Sequence, residues 1–490
     1  MSFRPTQNAL FFAILFGIAL FFATYHLTES PSVWYDEGFY LQSAANLAQY
    51  GQAGLRLSPD FIEPSSKFIS VGYPLIYPLA LTFSVFGVEV VYGRALMVIF
   101  ILGFLTVSYL FARRMFGGTC ALLSLALLAT FPPLYGNGKS VLGEVPGLFY
   151  LVSFFIFFTL ARTASTRRYW WLAVAGFTAG LCVATKPTFI LLLPAIAAGV
   201  FLEWRRGNIT VKDLCVAASV GVLPIVYWMA TQFQTGDSLG TILGEYANPY
   251  QIENLSAIIV QNLGRLFTDI GGLFLVVLMG IWTSALLIRI RNKRRVSSEE
   301  VIAFVFSLLT IAAYARTAGW YRYLFEAQTM ALLFLPITLG VLWGALSERM
   351  AMLLPRLASF IPKPQRLVLL VGISLAVLGG YQILFDSWVA EAYQSHKTAF
   401  WEEYFRTLPP DRTLFFYDVP EVAFFASRDY YQYISPSGWP IGKEQLVVIE
   451  KGMPDIIVVR SDAYSGMKDI LFKSYEIEQT AYKYSLLKKR

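Results

Sequence analysis

Two adjacent carboxylates, Asp36 and Glu37, lie in a run of aromatic residues shortly after the first long apolar stretch of the sequence. One carboxylate of such a pair can act as a general base on an acceptor hydroxyl, while its neighbour orients the acceptor or holds a cation. The alternative is structural: Asp36 would cap a helix, and Glu37 would lie in its first turn, where negative charge is favoured. The spacing alone leaves both interpretations open.

Two further charged residues border long apolar stretches. Glu144 precedes one such stretch, and Lys186, in Thr185-Lys186-Pro187, separates two others by a tight turn. A lysine held at that depth can bind a phosphate at the membrane surface. The structural alternatives are stabilisation of a helix N-terminus by Glu144 and a lysine whose stem lies along apolar surface.

A third group combines arginines with aromatic rings. Guanidinium groups bind phosphate oxygens through paired N–H donors, and aromatic faces offer a surface for a sugar ring. Arg316, Tyr321, Arg322 and Tyr323 are therefore candidates for binding a sugar phosphate. The alternative is an aromatic belt with anchoring arginines at the membrane surface. Weaker candidates for substrate binding are Arg56, Lys67, Arg94 and Lys139.

The composition identifies the elements that must position these residues. Of the 490 residues, 56% are hydrophobic and 14% are charged, which is too little polar surface for a water-soluble protein of this size. Roughly 20 apolar residues in a helix cross a membrane, and such stretches recur, so the sequence predicts an α-helical polytopic membrane protein. About eleven spans are predicted, at residues 9–26, 90–112, 119–135, 145–161, 169–185, 187–203, 213–231, 266–288, 299–315, 322–345 and 367–387.

Basic residues fall in alternate loops between these spans. Runs such as Arg113-Arg114 share one side of the membrane if the N-terminus is cytoplasmic, as the positive-inside rule requires. This topology places Asp36 and the residues from about 388 onward on the extracytoplasmic side of the plasma (inner) membrane. The formal charge of +7 is therefore a topology signal, and nucleic acid is not a predicted partner.

Two domains are predicted. Residues 1–388 would form a transmembrane catalytic domain, whose first outer loop, 27–89, contains interfacial helices at 36–50 and 74–86. Residues 389–490 would form a small outward-facing α/β domain, because short β-rich runs alternate there with helical segments. The elements predicted in this domain are strands at 413–417 and 455–459 and helices at 420–427 and 443–451.

Other kinds of chemistry find little support in the sequence. Cys120, Cys182 and Cys215 lie inside apolar stretches, which favours core positions over disulfide or thiolate sites. His26 and His396 have no partner at metal-ligand spacing. The sequence also lacks a Walker loop, a nucleophile elbow and a dinucleotide fingerprint, so nucleotide-driven and serine-hydrolase chemistry are not predicted.

The order and sidedness of the charged motifs resemble those of a known family. Four motifs carry the resemblance: an acidic pair after the first span, an acid in the second outer loop, a Thr-Lys-Pro turn and a late basic aromatic turn. In this order they are similar to motifs of the GT-C superfamily of polyprenyl-phosphate-sugar-dependent glycosyltransferases. Within it, the chain resembles the bacterial branch related to protein O-mannosyltransferases and the lipid A aminoarabinose transferase. The resemblance implies an inverting transfer of one sugar from a polyprenyl-phosphate donor, such as one built on undecaprenyl phosphate, to a lipid, glycan or protein acceptor in the cell envelope.

The resemblance also implies residue roles. Asp36 matches the catalytic acid of the family, Glu37 its neighbour and Glu144 the second-loop acid, whereas Lys186 and Arg322 fall where the family places phosphate-contacting bases. A hydroxyl acceptor would need Asp36 as a base, and an ionised phosphate acceptor would need it only for positioning. Some relatives bind a divalent cation near these acids, whose ligands here would be Asp36, Glu37 or Glu144, although no sequence signature requires a metal.

Two other interpretations compete with this one. An oligosaccharyltransferase of the same superfamily would be expected to have a Trp-Trp-Asp type signature in its outer domain, which residues 437–440 do not supply, and an O-antigen ligase would lack the early acidic pair. A transporter or lipid-binding membrane protein without transferase activity would have inverted repeats and charges at the middle of the membrane. Here the unusual charges collect at the outer surface instead.

Overall fold

A computed structural model gives the fold and describes residues 5–64, 70–163, 166–232, 254–353, 362–434, 454–464 and 474–490. The α-helices are α1 (Pro5–Thr24), α2 (Tyr35–Tyr50), α3 (Tyr73–Phe86), α4 (Val90–Phe116), α5 (Gly118–Ala129), α6 (Pro132–Lys139), α7 (Glu144–Thr163), α8 (Arg168–Thr185), α9 (Leu192–Arg205), α10 (Val211–Gln232), α11 (Leu255–Thr268), α12 (Ile270–Arg291), α13 (Ser298–Tyr314), α14 (Phe325–Leu353), α15 (Pro364–Phe385), α16 (Trp388–Glu391), α17 (Lys397–Thr407) and α18 (Pro420–Ala423). The strands are β1 (Leu55–Ser58), β2 (Phe61–Glu63), β3 (Leu414–Tyr417), β4 (Tyr430–Tyr433), β5 (Ile456–Arg460), β6 (Tyr475–Ala481) and β7 (Tyr484–Lys489). Short 3-10 helices cover Pro187–Leu191, Tyr321–Leu324 and Ala392–Gln394.

Every predicted span is helical, which confirms a polytopic helical membrane protein. Eight helical segments in the described part of the chain are long and apolar enough to cross a membrane, and a ninth results if α5 and α6, bent by 59°, form one span. The two remaining predicted positions hold α8 and α13, which have 18 and 17 residues and do not reach the length or hydropathy of the others. The number of about eleven spans stays a prediction.

The segment between α1 and α4 contains two helices and a hairpin among its described residues. Its two expected helices are α2 and α3, and α3, with 14 residues, is apolar but too short to count among the spans. The sequence analysis did not predict the antiparallel hairpin of β1 and β2, in which Leu55 pairs with Glu63.

The C-terminal region forms the predicted α/β domain around a five-stranded sheet with the order β4-β3-β5-β7-β6. Strand β3 pairs parallel with β4 and β5, whereas β7 pairs antiparallel with β5 and β6. The helix predicted at 420–427 was too long: α18 ends at Ala423, because the chain tightens there into turn bonds such as Phe425 N–H to Val422 O. The helix predicted at 443–451 lies outside the described residues.

The C-terminal domain packs against α2, the helix that begins at the acidic pair. Gly38 permits this close approach, because a Cβ atom there would lie 2.6 Å from the Cα atom of Glu421. Gln42 adds two buried hydrogen bonds: its Nε2 donates to Pro420 O at 2.8 Å, and its Oε1 accepts from the Tyr430 hydroxyl at 3.1 Å. The position of α2 therefore depends on both regions of the chain.

Candidate active site

Helix α2 begins at Tyr35, one residue before Asp36. Its start is stabilised by Glu37, whose Oε2 accepts the N–H of Trp34 at 3.1 Å, as a carboxylate at the third helical position can do. The structural alternative considered above gave the capping role to Asp36, whereas the structure gives it to Glu37. Asp36 and Glu37 are thus adjacent in the first turn of the helix, but only Glu37 caps it.

Glu37 and Arg94 form an ion pair in which both side chains are 0% exposed. Arg94 Nε donates to Glu37 Oε1 at 2.9 Å, and Nη2 donates to Oε2 at 2.8 Å. Arg94 Nη1 donates to three backbone carbonyls of the segment 27–31, and Glu37 Oε1 also accepts the N–H of Val141 at 3.0 Å. The pair therefore joins the segment before α2, helix α4 and the segment that leads to Glu144.

Asp36 contacts a different arginine. Arg322 Nη2 donates to Asp36 Oδ2 at 2.6 Å, and its guanidinium lies 5.3 Å from the ring of Trp34, 5.0 Å from Trp320 and 5.2 Å from Tyr323. Arg322 Nε and Nη1 are buried and lack a hydrogen-bond partner within the described part of the chain. Such unused donors are the groups that a bound anion would satisfy.

Glu144 and Lys186 form a second pair beside Asp36 and Arg322. Lys186 Nζ donates to Glu144 Oε1, and the two side chains are 8% and 1% exposed, respectively. Glu326, in the first turn of α14, is also buried and interacts electrostatically with Glu144, Lys186 and Arg322. Asp36, Glu144, Lys186 and Arg322 are called the charged cluster below.

The C-terminal end of α8 delivers Lys186 to this cluster. Helix α8 packs closely on α10 because Gly176 and Gly180 face it, where an added Cβ atom would overlap the backbone of α10. Small residues allow such close approach between helices in membranes. The end of α8 is also tied to the segment between α2 and α3, since the N–H of Gly72 donates to Thr185 O at 3.0 Å. Lys186 is therefore held between a membrane helix and the loop that carries Asp36.

Tyr40 lies one helical turn after Asp36 and is 2% exposed. Its hydroxyl forms a hydrogen bond of 2.6 Å with Ser70 Oγ. Burial, together with the negative charge of Asp36, raises the pKa of Tyr40 well above its ordinary value. Tyr40 therefore remains a neutral hydroxyl beside the charged cluster.

The basic aromatic turn divides its residues between two locations. Tyr323 joins the charged cluster, because its ring lies against Arg322 and its hydroxyl accepts from Arg322 Nη2 at 3.3 Å. Tyr321, predicted to contact the donor phosphate, instead donates its hydroxyl proton to Asp269. Arg316 is exposed at the start of the same turn.

The remaining predicted residues lie in other surroundings. Arg56 forms an ion pair of 2.7 Å with Asp429 of the C-terminal domain. Lys139 is fully buried and donates from Nζ to Tyr25 O at 2.9 Å. Lys67 lies outside the described residues.

Three residues near the site were not predicted from the sequence: Glu326, Tyr40 and Ser70. Glu326 carried a usable signal, because an ionisable residue inside an apolar span is by default a candidate functional residue. Arg94 was considered only as a weak substrate contact, and the structure pairs it with Glu37. Tyr40 and Ser70 are common residues whose meeting requires the fold of the outer loop.

The arrangement does not favour a divalent cation at the predicted ligands. Glu37 uses both oxygens on Arg94 and on backbone N–H groups, whereas Asp36 and Glu144 each already contact a cationic side chain. Within the described ranges, no three His, Cys, Asp or Glu side chains group closely enough to hold a metal ion.

Comparison with known proteins gives a family match for one part of the chain. Residues 74–229 match the family model described as dolichyl-phosphate-mannose-protein mannosyltransferase. No curated protein is similar enough in sequence to count as a relative.

Solved structures extend the likeness to the whole fold. ArnT from Cupriavidus metallidurans bound to undecaprenyl phosphate is 13% identical, with a TM-score of 0.65, over 99% of this chain and 98% of that chain. The Archaeoglobus fulgidus oligosaccharyltransferase tethered to an acceptor peptide is 14% identical, with a TM-score of 0.59, over 95% of this chain and 70% of that chain. The oligosaccharyltransferase AglB from Archaeoglobus fulgidus, in complex with an inhibitory peptide and a dolichol-phosphate, is 11% identical, with a TM-score of 0.55, over 94% of this chain and 70% of that chain.

The fold is thus shared over nearly the entire length, and the family match covers the helices from α3 to α10. Part of the chain therefore matches the mannosyltransferase family model, and the whole chain shares the fold of ArnT and of the archaeal oligosaccharyltransferase.

Proposed function

We propose that this protein transfers a single sugar from a polyprenyl-phosphate donor to an acceptor at the extracytoplasmic membrane face, with inversion at the anomeric carbon. The observation that carries the proposal is the contact of Asp36 with an arginine that keeps two buried donors unused. A carboxylate for the acceptor and cations for a phosphate thereby occur side by side. The undecaprenyl phosphate bound by ArnT and the dolichol-phosphate bound by the archaeal oligosaccharyltransferase support this class of donor.

The donor phosphate is assigned to Arg322 and Lys186. Arg322 offers Nε and Nη1 to phosphate oxygens, and charge-assisted bonds of this kind are among the strong ones in proteins. Lys186 has three N–H donors, one of which Glu144 accepts. As the bond between the anomeric carbon and the phosphate oxygen breaks, the electron pair leaves with the phosphate, and both cations stabilise the developing negative charge.

The acceptor is assigned to Asp36. Its carboxylate accepts the proton of an acceptor hydroxyl while the hydroxyl oxygen forms a bond to the anomeric carbon, on the face opposite the departing phosphate. With the donor phosphate bound, Arg322 has a second anion to contact, which leaves Asp36 free to turn toward the acceptor. An acceptor that is itself an ionised phosphate would need Asp36 only for orientation.

Glu37 and Glu144 are assigned to positioning rather than to contact with substrate. Glu37 and Arg94 together join the segments that carry Asp36 and Glu144. Glu144 holds the ammonium group of Lys186. Small displacements of reacting groups are costly in catalysis, so a rigid frame around the site contributes to rate.

The inner membrane is the proposed location, with the N-terminus in the cytoplasm and the C-terminal domain outside. The distribution of basic residues among alternate loops supports this topology. The chain is a multi-pass membrane protein, so membrane lipids are constant contacts. We infer that the acceptor is a lipid, a glycan or a protein that reaches this outer surface.

Mass spectrometry of glycolipids and glycoproteins tests the proposal in cells that carry either the wild-type protein or Asp36→Asn. Loss of one sugar from a defined acceptor in the variant would support transfer and identify both substrates. The matched control is Asp411→Asn, an exposed carboxylate of the C-terminal region, which is expected to leave the profile unchanged. An identical profile in Asp36→Asn and wild-type cells that supply the donor would favour a transporter or lipid-binding protein instead.

A further inference from the structure

Helix α11 is amphipathic, and its apolar face is largely exposed in the described part of the chain. Val260, Leu263 and Phe267 recur at helical spacing and are 71%, 43% and 65% exposed. The opposite face is buried, with Asn262 and Leu266 at 2% and 5% exposure. Exposed apolar patches of this kind mark contacts with other proteins or with lipid.

Helix α11 directly precedes a helix with the length and composition of a membrane span. Helix α12 begins two residues after α11 ends and is one of the spans long and apolar enough to cross the membrane. Its outward residues Ile270, Leu273 and Val277 are 89%, 46% and 51% exposed, as expected for a helix surrounded by acyl chains. Lipid is therefore the partner that we expect for the apolar face of α11.

The buried face of α11 holds the turn that leads to Arg322. Asn262 Nδ2 donates to Ala315 O at 3.2 Å and to Thr317 O at 2.8 Å, and Arg265 Nη1 donates to Gly319 O at 2.9 Å. Gly319 has a φ of 78°, and a Cβ atom there would collide with the side chains of Asn262 and Arg265. The turn is thus fitted closely against α11.

The end of α11 reaches the same turn by a second route. Arg265 Nε donates to Asp269 Oδ2 at 3.2 Å, and Asp269 accepts the hydroxyl proton of Tyr321. The guanidinium of Arg265 lies 5.0 Å from the centre of the Tyr321 ring. Tyr321 directly precedes Arg322, so α11 and the charged cluster share one short segment.

We propose that α11 lies in the membrane–water interface with its apolar face on the acyl-chain boundary, and that this seating holds the turn that presents Arg322 to Asp36. An amphipathic helix with an arginine on its polar face and large apolar residues on the other is suited to this location. Arg265 is a positioning residue in this arrangement. The membrane contact stands independently of the proposed transfer reaction, whereas its effect on Arg322 rests on that function.

Spin labels on the full-length protein test the membrane contact. The three native cysteines are replaced by alanine, and single cysteines are placed at Leu263, Phe267 and Gln261 in vesicles of phosphatidylcholine and phosphatidylglycerol. The labels at 263 and 267 are expected to collide mainly with dissolved oxygen. Gln261 is exposed on the flank of the apolar face, and the label there is expected to collide mainly with a water-soluble nickel chelate. Nickel accessibility at 267 equal to that at 261 would overturn the proposal.

Kinetics with a polyprenyl-phosphate-linked sugar test the coupling to Arg322. Phe267→Glu is expected to raise the KM for the donor by roughly tenfold, because it removes a large apolar contact with lipid. Gln261→Glu adds the same charge off that face and is expected to leave KM unchanged. Equal KM values in the two variants would contradict the coupling to Arg322. Absence of transfer in the wild type would contradict the proposed function, but it would not change the result of the labelling experiment.

Discussion

Two arginine–carboxylate pairs form around neighbouring residues of α2, and they differ in how fully their hydrogen-bonding groups are used. In the pair of Glu37 and Arg94, every side-chain nitrogen of the arginine donates and both carboxylate oxygens accept. In the pair of Asp36 and Arg322, two arginine nitrogens lack partners in the described part of the chain. A saturated pair can only hold the structure together, whereas an unsaturated one can also bind a ligand.

The physical reason is the cost of burying charge. A fully desolvated ion pair persists only when additional hydrogen bonds satisfy its remaining donors and acceptors. The Glu37 pair meets this condition within the protein. The Asp36 side chain is 26% exposed, so part of its hydration is kept, and a bound phosphate would complete the shell of Arg322.

The largest expected effect is the loss of transfer in Asp36→Asn. The amide keeps the shape of the side chain but cannot take the acceptor proton, so the rate should fall by about 100-fold to 10,000-fold. The thermal unfolding midpoint should change little, because Asp36 is not part of the saturated pair. Turnover at the wild-type rate would remove Asp36 as the base.

The next effect is a loss of stability in Arg94→Ala. This change leaves Glu37 charged and buried, at a cost of about 3–5 kcal/mol in the free energy of unfolding. Chemical denaturation in detergent micelles, monitored by circular dichroism, measures it. Arg113→Ala, in the last turn of the same helix α4, is the matched control. Stability equal to the control would contradict the structural role of the Glu37 pair.

A smaller effect is expected from Arg322→Ala. Removal of charge-assisted hydrogen bonds to the donor phosphate should cost about 1.5–3 kcal/mol in kcat/KM, with folding retained. Arg322→Lys keeps the positive charge without the fork of donors, so it should recover only part of the activity. If both variants matched the wild type, the phosphate would have to bind elsewhere.

Gly38→Ala tests whether the C-terminal domain helps to set the position of α2. The added methyl group collides with the backbone of Glu421, and overpacking of this kind costs about 1–3 kcal/mol. Both stability and transfer should fall, since Asp36 lies two residues away on the same helix. The matched control is Gly17→Ala, because an added Cβ atom at Gly17 meets open space; stability and transfer should not change. Gly51→Ala is unsuitable as a control, since Gly51 has a positive φ of 71°.

The smallest effect is expected from Arg56→Ala. Its partner Asp429 has a side chain that is 71% exposed, and such surface pairs contribute about 0–1 kcal/mol. Transfer kinetics should remain close to wild type, because the pair lies between the outer hairpin and the C-terminal domain. A large loss of activity would return Arg56 to the substrate-binding residues predicted from the sequence.

Local patterns were sufficient for much of the fold. Apolar stretches of helical length predicted α4, α7 and α14, because each must satisfy its backbone bonds internally within lipid. Strands β3 and β5 were predicted because each is a short β-rich run. Strands β4, β6 and β7 were not predicted. Strand β6 is mostly exposed, and the apolar run of β7 is only Leu486-Leu487, which is buried where β7 pairs with β5 and β6.

The roles of individual charges could not be read in the same way. Glu37 and Arg94 are 57 positions apart in sequence, and nothing near either residue indicates that they meet. Tyr321 and Arg322 are adjacent, yet one contacts Asp269 and the other Asp36. Adjacent side chains in a tight turn point in different directions, and only the packing of surrounding helices decides what each one contacts.

The sequence by itself determined the membrane class of this protein, the approximate bounds of its helices and the set of charged residues that border them, because hydropathy and charge act locally along the chain. Only the tertiary structure decided that Glu37 pairs with Arg94 and that Asp36 pairs with Arg322. It also added Glu326 and Tyr40 to the residues around the site. Ion pairing depends on distance in space and on exclusion of water, and both arise only when segments far apart in sequence pack together.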